Sequence, residues 1–182
     1  MAFLDGGARF IQVRAKQLPS GALLELCDAV VYAAGRYQAL VIVNDRADIA
    51  AMSRAAGVHV GQDDLDPAAA RALLGPDAIV GYSTHTVSQV EAAVDQPLSY
   101  IAVGPVFGTR SKDTGYEAVG LDMVTAAARA AAGVPVVAIG GITLATAPLV
   151  IEAGASSVAV IGDLLAGTDP TARIADYVRI LK

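Results

Sequence analysis

Short apolar runs alternate with longer Ala-rich segments along the whole chain. The runs are rich in Val and Ile, as strands are, and read as strands near Phe10–Arg14, Leu40–Asn44, Val58–Val60, Ala78–Tyr82, Tyr100–Val103, Val136–Ile139 and Ser157–Ile161. The segments between them have helical spacing: Ser20–Arg36, Ala47–Ala55, Pro67–Leu74, Val87–Val94, Leu121–Ala132, Thr146–Ala153 and Pro170–Leu181. Asp66 before Pro67 reads as an N-cap followed by proline at the first helical position, and Gly133 with Pro135 reads as a helix stop. Strict alternation of strand and helix predicts right-handed βαβ units and a parallel sheet. Strands that are apolar throughout predict a sheet covered on both faces.

A barrel and an open doubly wound sheet both satisfy that pattern. The polar residues separate them, because they sit at the C-terminal end of nearly every strand. A barrel gathers all those ends at one mouth, whereas an open sheet concentrates its chemistry at one switch point. The expected fold is therefore α/β, a (β/α)8 TIM barrel, with residues 1–182 forming one domain. Seven strands are found where eight are needed, and AFLDGGARF reads as the tail of a helix and a turn. The expectation is a barrel that lacks its first strand and most of its first helix in this chain.

Composition narrows the class. Apolar residues make up 54% of the 182, with no tryptophan, which suits close helix–sheet packing by small side chains. A net charge of -5 argues against a nucleic-acid surface. The one cysteine, Cys27, lies in an apolar helical stretch and reads as a buried core thiol in a reducing, cytoplasmic setting. No apolar run reaches the roughly 18 residues of a membrane span, and the N-terminus lacks the pattern of a signal peptide. Helix surfaces of small residues are compatible with a homo-oligomer.

The strand ends carry the candidate chemistry. In QVRAK, Gln12, Arg14 and Lys16 alternate, so an extended backbone aims them to one side, as a phosphate site requires. VIVND and GQDD place Asp45 and either Asp63 or Asp64 near that cluster, where carboxylates would repel a phosphate unless a hard cation such as Mg2+ lay between them. Gly140 and Gly141 after the sixth run, and Gly162 after the last, allow close backbone approach to a second phosphate. FGTRSKD adds Thr109, Ser111 and Lys112 in a long loop. His59 reads as a core histidine and His85 as a strand-end residue, and neither has zinc spacing.

In order, QVRAK, VNDRAD, GVHVGQDDL, GYSTH, YIAVGPVFGTRSK, AIGGI and AGASSVAVI resemble the thiamine-phosphate synthase family almost end to end. The resemblance implies a (β/α)8 barrel that joins hydroxymethylpyrimidine diphosphate to thiazole phosphate with Mg2+ and releases pyrophosphate. It implies that Gln12, Arg14, Lys16 and Asn44 hold the diphosphate and that Asp45 and Asp64 ligate Mg2+. Ser83 and Lys112 would bind the leaving pyrophosphate, with Lys112, Ser83 and Arg14 as the catalytic set. Thr109, Ser111 and Gly141 would bind the thiazole phosphate. Ile161-Gly162 stands where the family usually has Val-Ser, Ser111 replaces a usual threonine, and Gly108 stands where proline is common. Two other readings remain: a thiazole tautomerase-like paralogue, and a non-catalytic phosphate-binding barrel.

Overall fold

The structure, a computed structural model, describes residues 1–108 and 117–181. Its elements run α1 (Ala2–Asp5), β1 (Phe10–Val13), α2 (Ser20–Gly35), β2 (Leu40–Asn44), α3 (Ala47–Met52), β3 (Gly57–Val60), α4 (Pro67–Leu74) and β4 (Ile79–Thr84). Then follow α5 (Val87–Ala93), β5 (Tyr100–Val103), α6 (Gly120–Ala130), β6 (Val136–Ile139), α7 (Ala147–Glu152), β7 (Ser157–Ala159) and α8 (Pro170–Ile180). The sheet order is β1-β2-β3-β4-β5-β6-β7, with every neighbour pair parallel.

Local chemistry fixes these boundaries. The Asp66 carboxylate accepts hydrogen bonds from Ala68 N (2.9 Å) and Ala69 N (3.3 Å), with Pro67 opening α4. Asp169 does the same for Ala172 N at 3.0 Å ahead of Pro170, and Thr86 caps α5 by accepting from Gln89 N at 3.2 Å. Each cap satisfies amide donors that the helix itself leaves unpaired. Val41, Ile42 and Val43 are all buried, as a strand covered on both faces requires.

Most strand ends lie within one residue of expectation, and two differ by two residues. The fourth strand runs on through Ser83 and Thr84, because these residues pair with Ala102 and Val103 of β5. The last strand stops at Ala159 rather than Ile161: β6 is its partner, and that pairing ends at Ile139↔Ala159. Gly140 follows at φ 92, a left-handed conformation that takes the chain out of the strand.

The sheet curls into a half-barrel, and aromatic contacts across its interior show the curvature. Phe10 of β1 meets Tyr100 of β5 edge-on at 5.9 Å, and His59 of β3 stacks on Tyr100 at 5.5 Å. A Cβ at Gly81 on β4 would lie 2.1 Å from the Tyr100 ring, so glycine makes the room that this ring fills. Outside the sheet, apolar clusters follow the curve: Leu23, Cys27, Val43 and Val58 in one, Val90, Ile101 and Ala127 in the next, Val124, Val150 and Ile174 in the third. Cys27 is fully buried, as expected, and burial raises its thiol pKa.

Among the described residues, no strand lies between β7 and β1. The helical layer nevertheless meets there. A Cβ at Gly6 would lie 2.5 Å from Thr171 O and 2.7 Å from Ile174 Cβ, so α1 and α8 are in close contact. No described helix is long and apolar enough to cross a membrane.

Candidate active site

Parallel strands in order put their C-terminal ends on one rim, and the expected site residues collect there in groups. The first lies at the ends of β1, β2 and β3. Lys16 Nζ is 2.7 Å from Asp45 Oδ2. Asp64 accepts from Gly61 N at 2.8 Å and interacts with both Asp45 and Lys16. Burial pushes the Asp64 carboxyl above its ordinary range; the Gly61 hydrogen bond opposes that rise and the neighbouring Asp45 charge adds to it. Asp45 has φ 64, and its amide donates to His59 O at 2.7 Å, so the β3 backbone holds it in a conformation that few side chains adopt. Asn44 is the register partner of His59. Arg14 is exposed just beyond β1.

The second group threads the interior. Tyr100 Oη lies 2.9 Å from His59 Nδ1, and Ser83 Oγ lies 2.8 Å from His59 Nε2. Gln62 Nε2 donates to Ser83 O at 2.7 Å. Burial drives the Tyr100 phenol well above its ordinary value, and a hydrogen bond from the Gln12 amide acts the other way. His59, Ser83 and Tyr100 are all buried.

The third group is glycine backbone beside β5, β6 and β7. Val106 N donates to Ile139 O at 2.8 Å and Phe107 N to Gly140 O at 3.0 Å, so the two loops run together. Gly141 has φ 65, and a Cβ there would lie 2.6 Å from Gly108 O. Ile161 and Gly162 are exposed in the turn after β7. Asp163 ties that turn to its surroundings: it accepts from Leu144 N (3.1 Å), from Arg173 Nε (3.1 Å) and Nη2 (3.0 Å), and from Tyr177 Oη (2.6 Å). Burial alone would raise the Asp163 carboxyl, but these donors outweigh it and hold it below the usual range.

The structure thus brings Lys16, Asp45 and Asp64 together, and links Ser83 to His59 and, through it, to Tyr100, two residues outside the expected set. Both Asp63 and Asp64 are exposed, but Asp64 interacts with Asp45 and Lys16, so of the two candidate carboxylates the geometry favours Asp64. Thr109, Ser111 and Lys112 lie outside the described residues. Sequence reasoning missed three contributors: Tyr100, Gln62 and Asp163. An aromatic at a strand start reads as core, and a lone Asp in IGDLL reads as a turn. A signal existed for each of two. Gly81 inside a strand marks a close approach, and Arg173 and Tyr177 at i,i+4 share one face of α8. His59 is a core histidine, as expected, but its ring bonds side chains. His85 Nδ1 lies 2.5 Å from Gly104 O.

Residues 1–164 match the family model described as thiamine monophosphate synthase. The chain is 46% identical over 175 residues to a thiamine-phosphate synthase of Anaeromyxobacter dehalogenans, which covers 96% of this chain and 78% of the relative. A similar match, 47% identical over 184 residues, covers the whole chain but only 38% of the thiamine biosynthesis bifunctional protein ThiM/ThiE of Symbiobacterium thermophilum. Among solved structures, a thiamine phosphate pyrophosphorylase from Pyrococcus furiosus superposes with a TM-score of 0.90 at 29% identity, covering 99% of this chain and 86% of that one. A 3-hexulose-6-phosphate synthase superposes at 0.73 and 19% identity, which speaks to the barrel-like fold alone. The chain belongs to the thiamine monophosphate synthase family, a family of transferases of thiamine biosynthesis.

Proposed function

We propose that this chain is a thiamine-phosphate synthase that couples hydroxymethylpyrimidine diphosphate to thiazole phosphate, giving thiamine phosphate and pyrophosphate. The observation that carries the reading is the grouping of Gln12, Lys16, Asn44, Asp45, Asp64 and Ser83 at the C-terminal rim of a curled parallel sheet in a chain of this family. Polar and charged groups from several strands converge there, as a phosphate-bearing substrate requires.

Asp45 and Asp64 fit Mg2+. The donor set is two carboxylates close enough to raise the pKa of one of them, and Mg2+ takes its remaining oxygens from water and phosphate. Among the described residues no cluster of three or more His, Cys, Asp or Glu side chains could hold a metal, which excludes a closed all-protein cage but not this arrangement. When bound, Mg2+ supplies positive charge where the departing pyrophosphate gathers negative charge.

The chain's own residues do the rest. Arg14, Lys16 and Gln12 bind and orient the diphosphate, and Ser83 with Lys112 holds the leaving group. The pyrimidine ring stabilises the methylene cation left when the C–O bond breaks, and the thiazole nitrogen attacks that carbon. Little proton transfer is needed from the protein, which accords with histidines engaged by the structure itself. Backbone amides of Gly141 and Gly162 serve the thiazole phosphate, together with Thr109 and Ser111.

The test is an end-point assay of this chain with both substrates and Mg2+, with and without chelator. Thiamine phosphate that disappears on chelation is the expected result. Lys112→Ala is expected to lower turnover by roughly a hundredfold or more, the scale for losing one group that stabilises a developing anion. Cys27→Ser is expected to retain it. Equal loss in both variants at preserved fold would sink the assignment.

A further inference from the structure

Strands β6 and β7 pair as far as Ile139↔Ala159 and no further. Beyond that point two backbone segments leave the sheet, the loop of residues 140–146 and the turn of residues 160–165. Gly141 in the loop and Gly162 in the turn are the backbone positions assigned above to a phosphate. Neither amide donates to another described residue, and nor does the amide of Asp163. Open amides bind an anion well only when their spacing is already set, because a loose donor has to be ordered as the ligand arrives. Glycine cannot anchor itself: it has no side chain and a wide choice of backbone angles. A neighbour has to hold the two segments in register.

The Asp163 side chain is placed to do so. Its Oδ2 accepts from Leu144 N at 3.1 Å, and among the described residues this is the one hydrogen bond that joins the loop to the turn. The carboxylate is anchored in turn to α8. Arg173 grips it as a fork, with Nε on Oδ2 at 3.1 Å and Nη2 on Oδ1 at 3.0 Å, and Tyr177 Oη donates to Oδ2 at 2.6 Å. An amide, a guanidinium and a phenol facing a carboxylate all donate, so the direction of every contact is fixed. The Asp163 side chain is 10% exposed and meets these donors rather than solvent. The far side of the loop is already tied, where Phe107 N donates to Gly140 O at 3.0 Å. A lone carboxylate beside Gly162 would repel an anion. The Arg173 guanidinium offsets that charge, so Asp163 can hold the turn without driving off what binds there.

We propose that Asp163 is a positioning residue that sets the Gly162 amide against the Gly141 amide, so that the two receive one phosphate group, that of the thiazole substrate. The identity of that substrate rests on the synthase reading above.

The test titrates inorganic phosphate into the full chain, labelled with 15N, and follows the Gly141 and Gly162 amide signals. In the parent both signals are expected to move with one shared dissociation constant. Asp163→Ala is expected to weaken binding about tenfold or more, the scale of one hydrogen bond to a charged group. Asp163→Asn keeps the shape and one acceptor oxygen, so its affinity should fall between the two, and it decides the matter if the alanine variant does not fold. Parent signals that ignore phosphate or move with two different constants, or an Asp163→Asn chain that binds as tightly as the parent, overturn the proposal. A second arm measures both substrate KM values. Asp163→Asn should raise the KM for thiazole phosphate and leave the KM for the pyrimidine diphosphate near the parent value. An equal rise in both would reflect general packing and overturns the positioning role. If the parent binds phosphate at both glycines but makes no thiamine phosphate, the synthase reading fails while the phosphate titration still decides the role of Asp163.

Discussion

Gly81 is the residue on which the interior turns. It lies in the middle of β4, where any side chain would meet the Tyr100 ring at 2.1 Å. Backbone and ring have little freedom to yield, because Tyr100 is also bounded by Phe10 and His59. Gly81→Ala is therefore expected to cost about 1–3 kcal/mol, as overpacking of a filled core does, measured by urea denaturation. Unchanged stability would mean that Tyr100 does not fill this space. Strand-end polar residues such as Lys16 and Asp45 were legible in the sequence because a charge ending an apolar run breaks a pattern. Tyr100 was not, because an aromatic beginning a strand fits the pattern of core. Its hydroxyl matters only through partners on other strands, and strand order alone does not say which side chains meet across a barrel.

At the scale of elements, Asp163 joins three pieces: the turn after β7, the loop ahead of α7 through Leu144 N, and α8 through Arg173 and Tyr177. Its carboxyl is held below the usual range in the folded chain, so its contribution is present above the unfolded value of about 3.9 and is lost as pH falls through the lower folded value. Tyr177 has the opposite sign. Burial first, and then its hydrogen bond to Asp163, raise the phenol, so the folded state holds that proton more tightly than the unfolded chain. Stability from this source is full below the unfolded value near roughly 10 and is lost as pH rises above it. Tyr177→Phe is expected to cost about 1.5–3 kcal/mol at neutral pH, the scale of a hydrogen bond to a charged acceptor. It should also shift the alkaline limb of a melting-temperature profile upward relative to the parent. A parallel offset at all pH values would show that packing, not the phenol proton, is what Tyr177 contributes. Element order and register were legible from periodicity and capping residues. The tie at Asp163 was not, because its partners are 10 and 14 residues away on a helix whose facing is set by packing.

At the largest scale, the question is what keeps the parallel sheet of β1 to β7 curled when, among the described residues, its edge strands do not pair. Among the described residues, the outer edges of β1 and β7 have no strand partner, and unpaired parallel edges invite association. The closure that exists is helical. α1 lies against α8 at Gly6, and Asp5 accepts from Tyr37 Oη at 2.5 Å beyond the end of α2, so one short helix spans both sides of the gap. Gly6 is buried with φ -72, a conformation any residue adopts, so space rather than backbone freedom requires glycine there. The atoms that a Cβ would meet are the Thr171 carbonyl and the branched Ile174 Cβ on a formed helix, neither of which moves without displacing α8. Gly6→Ala is expected to push α1 off α8, to cost about 1–3 kcal/mol in chemical denaturation, and to raise light scattering on gentle warming as the β1 and β7 edges become accessible. Reduced stability without scattering would show that the helical contact supports the fold but does not shield the edges. Parent-like behaviour in both measurements would show that the curl is held by the interior packing around Tyr100 and needs no help from the helical ring.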